Sequence, residues 1–188
     1  IPTTSSTVTR AAETLTVPVA NLPYPTPVEV TGTELVTNGT FDSNTNDWAS
    51  FNSTLSVDSN RLKVTDTGYF GTASTHFPTV SGKSYLITAD FIHGGTLDGM
   101  VTVQDGQFEY GTVLHSGGGD ISSVSKTYSI IVKAVSHTTK LTLKNSWASS
   151  GGFGNLGDFN LWDNVSVKEI NPLALSIQMD GKITYADD

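Results

Sequence analysis

Two carboxylates, Asp42 and Asp163, are the side chains whose type and neighbours point most directly to chemistry. Asp42 belongs to ELVTNGTFDSNTNDW, Glu34 to Trp48, and Asp163 to DFNLWDNVSVKEI, Asp158 to Ile170. Each segment reads as a strand carrying carboxylates beside apolar residues, and the stretch between them is almost wholly β-patterned, so the two are expected to close one sandwich. Period-two alternation puts Phe159, Leu161, Asp163, Val165 and Val167 on one face and Asn160, Trp162, Asn164 and Ser166 on the other. Asp163 thus falls in the apolar register. A carboxylate buried there alone is costly, so it is expected to meet a cation, accept bonds from backbone amides, or be displaced by a bulge. Calcium suits such oxygen ligands, with Asp42 as the partner carboxylate.

The run Asp42 to Asp47 places oxygen ligands at alternate positions, as an EF-hand loop begins, but Asp47 replaces the turn glycine and Ser53 stands where the bidentate Glu belongs. It reads either as part of an inter-strand calcium site or as an Asn/Asp-rich turn. GFGNLG, Gly152 to Gly157, matches a dinucleotide-binding pattern yet feeds a strand instead of opening a helix, so it reads as a loop. His76, His93, His115 and His137 are scattered, and no pair of carboxylates stands out for glycoside hydrolysis, so no enzyme is expected.

The elements that would position these groups are short strands. Arg61 to Thr65, Tyr69 to Phe77, Ser84 to Ile92, Met100 to Gln104, Phe108 to Leu114, Lys126 to Ala134 and Lys140 to Asn145 are the clearest, with turn residues between them and no helical period. That pattern is all-β, a sandwich or jelly roll. Asp105-Gly106 is a two-residue hairpin signal whose register sets Val103 beside Phe108 and Val101 near Tyr110, all four in the core. Thr102, Gln104, Gln107 and Glu109 then form a polar ladder, either plain solvent-facing sheet or the floor of a cleft. Among the aromatics, Trp48 is expected in the core. Trp162 lies opposite Leu161, covered by the arm or another sheet, while Trp147 and then Tyr69 are the candidates for an exposed platform that stacks on sugar rings.

Five of the seven prolines, Pro2, Pro18, Pro23, Pro25 and Pro27, fall in residues 1–33, which read as an extended arm or linker packing on another chain or domain. Residues 34–170 are the sandwich. Residues 171–188 restart with Pro172 and a second Asp-Gly hairpin, SIQM-DG-KITY, as a linker and the start of a following domain. The absence of cysteine excludes a disulfide framework or thiol chemistry, and no apolar run is long enough to cross a bilayer. A net charge of -8 argues against nucleic-acid binding. The lysines are spread singly, so sugar binding is expected to be weak, directed to neutral hydroxyls, and independent of salt.

The segments LVTNGTFD…W and WDNVSV resemble the ends of jelly-roll carbohydrate-binding modules of the xylan-, glucan- and cellulose-binding group, over roughly Glu34 to Ile170. The resemblance implies a jelly-roll β-sandwich, a non-catalytic glycan-binding or adhesion role, and a structural calcium held by Asp42 and Asp163. The site it leads us to expect comprises Trp147, Tyr69, Gln104, Gln107 and Glu109. Arg10 to Pro25 together with the NPLALSIQMDGKITYAD tail resembles modular structural proteins of bacteriophages and prophages. That implies an extracellular or virion setting, contacts with other virion proteins through residues 1–33, and a homo-oligomer. The rival expectation is a purely structural capsid or tail decoration domain with no sugar site.

Overall fold

A computed structural model describes residues 29–94, 98–106, 112–116, 124–145 and 156–171. They belong to a unit that spans Glu29–Asn171. Its strands are β1 (Glu29–Glu34), β2 (Ala49–Phe51), β3 (Ser53–Val57), β4 (Leu62–Asp66), β5 (Thr72–Pro78), β6 (Ser84–Ile92), β7 (Gly99–Asp105), β8 (Val113–Ser116), β9 (Lys126–Lys133), β10 (Thr138–Asn145) and β11 (Phe159–Asn171). The first strand therefore begins at Glu29, inside the segment that the prolines set apart as an arm. Residues 1–28 and 172–188, with the second Asp-Gly hairpin, lie outside the described residues.

Two antiparallel sheets form a jelly-roll β-sandwich. One runs β3-β4-β11-β6-β9 with β1 also paired to β11, and the other runs β2-β5-β10-β7-β8. The alternation that made these segments legible as strands also builds the core. In β6, Tyr85, Ile87, Ala89 and Phe91 are buried while their neighbours are half-exposed. From the facing sheet Ala73, Phe77, Val101, Val103, Leu141 and Leu143 point inward. Trp162 is wholly buried, its ring 4.9 Å from Phe91 and 5.8 Å from Tyr128, and the Tyr128 hydroxyl donates to the Gly99 carbonyl at 2.6 Å. Trp48 packs in the core 5.3 Å from Phe41, as its position after the first turn suggested.

Strand β11 is the spine of its sheet. Its first half, Phe159 to Trp162, pairs with β4, its last residues pair with β1, and β6 runs along its other edge. The pairing with β6 shifts between Asp163 and Ser166, where Asn164 adopts φ 48°, a left-handed conformation that Asn tolerates better than most residues. This bulge corrects the simple alternation. Before it Asn160 and Trp162 point inward, and after it Val165 and Val167 do, so Asp163 lies on the outer, half-buried side. The register shift separates Asp163 from the inward-facing Val165 and Val167, and its carboxylate accepts from the Asn164 amide at 2.7 Å. Trp162 is buried against Phe91 and Tyr128 of its own sheet.

The Asn-Gly-Thr-Phe segment locks onto this bulge. Val165 donates its amide to the Gly39 carbonyl at 2.9 Å, and a Cβ on Gly39 would stand 2.0 Å from the Val165 carbonyl oxygen, so only glycine fits. The Asn38 side chain donates to the Asn44 and Asn46 carbonyls, pinning the turn that follows, and Trp48 Nε1 donates to the Asn38 carbonyl. Glu34 completes the junction. Its carboxylate accepts from the amides of Leu35, Val36 and Val167 and from the Ser166 hydroxyl, tying the first strand to the last.

The Asp105-Gly106 signal marks the end of β7, but the hairpin register differs from the tight-turn expectation. Gln104 pairs with Val113 and Val103 with His115 instead of Phe108, because the connection runs longer than two residues. Gly106 takes φ 81° and donates to the Thr138 carbonyl. Phe108 and Tyr110 lie outside the described residues. Val101 and Val103 are core residues as expected.

A buried polar chain crosses the sandwich. Asn145 donates to Asp66 at 2.6 Å and to the Val64 carbonyl, Asn160 donates to Asn145 Oδ1, and the Gly94 amide donates to Asn160. Burial raises the Asp66 carboxyl above its ordinary pKa, against the lowering effect of bonds from Asn145 and the Gly71 amide. Asp98 is also raised by burial, opposed by the nearby His93, and its Oδ1 has no hydrogen-bond partner.

Two outcomes follow from this architecture. Gly39→Ala is expected to cost about 1–3 kcal/mol through the forced backbone shift, read as a lower urea midpoint; an unchanged midpoint would show that the junction yields freely. A carboxyl whose folded pKa is raised contributes stability that is complete below the unfolded value of about 3.9 and is lost as pH rises through the folded value. Asp98→Asn removes that loss. It should therefore gain thermal stability over the wild type at pH 7 but not at pH 3, and an equal difference at both would reject the assignment.

Candidate functional site

The outer face of the β2-β5-β10-β7-β8 sheet forms the floor of a groove of about 570 Å³. Because Ala73, Phe77, Leu141, Leu143, Val101 and Val103 point into the core, their alternates must point out. The pairing registers arrange these in rows. Lys140 stands opposite His76 on one side and Gln104 on the other; Thr142 stands between Ser74 and Thr102; Lys144 stands between Thr72 and Met100. All of these except Met100 line the groove. The floor is therefore hydroxyl, amide and basic groups on three strands, held rigidly from beneath by aliphatic side chains.

One wall is aromatic. Phe51, Asn52, Tyr69 and Phe70 border the groove, and Phe51 and Tyr69 are 59% and 61% exposed. Water-facing rings of this size beside a concave polar floor mark a ligand surface better than a scattered apolar residue does. Asn52, at φ 50°, donates its side-chain amide to the Tyr69 carbonyl at 3.0 Å and so joins the two wall segments. Phe70 holds φ 59°, a strained conformation for a bulky residue, and the Lys144 ammonium sits 4.8 Å from its ring centre. Burial lowers the Lys144 pKa below the ordinary amine value.

Of the sugar-site residues expected from sequence, Tyr69 and Gln104 come together in this groove, Tyr69 on the wall and Gln104 on the floor. Trp147, Gln107 and Glu109 lie outside the described residues. Phe51, His76, Lys140 and Lys144 were missed. Lys144 was legible as a residue opposite Leu143, but only the order of the strands sets it in the same groove as Phe51.

Asp42 and Asp163 each hold a local hydrogen bond. Asp42 is exposed and accepts from the Thr40 hydroxyl at 2.9 Å, whereas Asp163 accepts from the Asn164 amide at 2.7 Å and lines a different hollow with Asp90, Arg61 and Lys126. Among the described residues no three His, Asp or Glu side chains assemble as a metal-ligand set. Glu34 joins the first strand to the last directly by hydrogen bonds to the Ser166 hydroxyl and the Val167 amide.

Neither a protein family nor any curated protein matches the sequence. Similar solved structures do exist. The N-terminal cellulose-binding domain of Cellulomonas fimi beta-1,4-glucanase C aligns with a TM-score of 0.54 at 12% identity, over 78% of this chain and 100% of that one. A xylan-binding domain from Paenibacillus barcinonensis gives 0.52 at 11% identity, over 73% and 95%. The enzymatically active domain of tailspike protein 4 from bacteriophage CBA120 gives 0.50 at 10% identity, over 72% of this chain but 21% of that one. At such identities the likeness is one of fold, and the fold of this chain is that of the jelly-roll carbohydrate-binding modules.

Proposed function

We propose that this unit is a non-catalytic glycan-binding domain that lays a polysaccharide chain along the β2-β5-β10-β7-β8 sheet. The observation that carries the reading is the pairing of two exposed rings, Phe51 and Tyr69, with a floor of Ser74, Thr102, Gln104 and Thr142 in one groove. Aromatic faces stack on the C–H faces of sugar rings, while hydroxyl and amide groups exchange hydrogen bonds with sugar hydroxyls. Glycoside hydrolysis needs two carboxylates flanking one bond, and the described lining of the groove offers hydroxyl, amide and basic groups instead. In this reading the unit serves adhesion outside the cell or on a virion, with the residues before β1, 1–28, meeting neighbouring proteins in a homo-oligomer; the flanking segments' resemblance to phage structural proteins supports that setting.

A glycan array with the full chain tests the function. Phe51→Ala and Tyr69→Ala are expected to abolish retention of whichever glycan the wild type holds while moving stability by no more than about 0.5 kcal/mol, as at exposed sites generally. Absence of glycan binding by the wild type would favour the purely structural role.

Calcium at Asp42 or Asp163 is a separate proposal, supported by two carboxylates each with a single local hydrogen bond. Binding the folded state alone stabilises by about 2.7 kcal/mol at a hundredfold excess over Kd. The melting temperature should then rise with calcium and lose that rise in Asp163→Ala; identical melting in calcium and chelator would dismiss it.

A further inference from the structure

Among the described residues, the charged side chains that line the groove are lysines. His76, Lys140 and Lys144 line it, and no carboxylate does so among the described residues, although acidic side chains outnumber Lys and Arg by 18 to 10 over the chain. Lys140 and His76 face each other across adjacent strands. Lys140 and Lys144 lie four residues apart on β10, roughly 13 Å along the strand, so they reach different sugar residues of an extended chain. The ion pairs of Lys63 with Asp58 and Lys83 with Glu169 lie elsewhere, and neither groove lysine has a carboxylate in reach among the described residues. Lys144 is in addition partly desolvated against Phe70, with no counter-charge beside it among the described residues.

We propose that the groove selects an anionic polysaccharide, whose carboxylate or sulfate groups pair with Lys140 and Lys144 while its rings stack on Phe51 and Tyr69. The inference rests on the glycan-binding reading above and names its ligand class. It departs from the expectation of salt-independent binding, because Lys140 and Lys144 rise from the same face of β10 into one groove. An anionic chain gains nothing from the net charge of the whole domain, which repels it, so its attraction is confined to this face. A matched ammonium–anion contact adds both affinity and discrimination against neutral chains.

Affinity electrophoresis and calorimetry of the full chain test this with polygalacturonate, the same polymer with its carboxyls reduced to primary alcohols, dextran sulfate, and unsubstituted dextran. The expected result is binding to a charged polymer about tenfold tighter than to its uncharged counterpart. That preference should weaken as salt rises and be lost in Lys140→Gln/Lys144→Gln but kept in Lys83→Gln. Preference for polygalacturonate assigns carboxylates and preference for dextran sulfate assigns sulfates. The salt titration uses the wild type alone, so the inference stays testable if the double variant unfolds. Equal, salt-insensitive binding of charged and uncharged polymers, or binding confined to neutral glycans, would overturn the anionic preference and leave the glycan reading standing. Failure of the wild type to hold any polymer, charged or neutral, would overturn both.

Discussion

The sandwich depends on a single break in the pleat of β11. A strand with strict alternation that buries Trp162 would turn Val165 and Val167 to solvent and bring Asn164 and Ser166 into the core. The bulge at Asn164 resolves the conflict, letting aromatic and aliphatic residues of one 13-residue strand share the inner face. Two amides there find partners outside the sheet ladder. The Val165 amide is taken by Gly39 and that of Val167 by Glu34, which fixes the first loop on the last strand. The Asn-Gly-Thr-Phe segment is accordingly the negative of the bulge, and the two are meaningful only together.

The same two-residue period separates support from recognition on the other sheet. Each groove residue of β10 alternates with a buried one: Lys140 precedes Leu141, Thr142 precedes Leu143, and Lys144 precedes Asn145. Close packing of the inner row limits movement of the outer row, so the floor is held in place before any ligand arrives. The wall differs. It comes from the segments around Phe51 and Tyr69, joined by the Asn52 amide and by left-handed residues at Asn52 and Phe70. Rigidity thus comes from the core on the floor and from local backbone conformation at the wall.

Strand positions were legible because alternation is a local signal; Ser84–Ile92 emerges with the bounds read from its pattern. The fate of Asp163 was only partly legible, since period two assumes an unbroken pleat and Asn-Val-Ser carries no mark that distinguishes a bulge from a straight strand. Convergence of His76 with Lys140 was not legible at all. Neighbouring positions in the sheet are here 64 residues apart in the chain, and the order β5-β10-β7 follows from how two sheets close, not from any segment alone. Glu34 went unremarked for a related reason, because its partners Ser166 and Val167 lie at the far end of the domain. The positions of Tyr69 and Gln104 at the groove were legible because exposure of an aromatic near a turn and the polar side of a strand are both local properties.

The strand order has a kinetic meaning. β10 lies between β5 and β7, and β11 between β4 and β6, so the central strand of each sheet is among the last of the domain to be made. Until both exist, β4, β5, β6 and β7 expose unpaired edges and half of an apolar face, a state open to pairing with other chains. Contacts this distant in sequence also place folding in the millisecond-to-second range typical of β-sandwiches. On the ribosome the chain waits for its closing strands, and its half-built sheets stay open to mispairing during that interval.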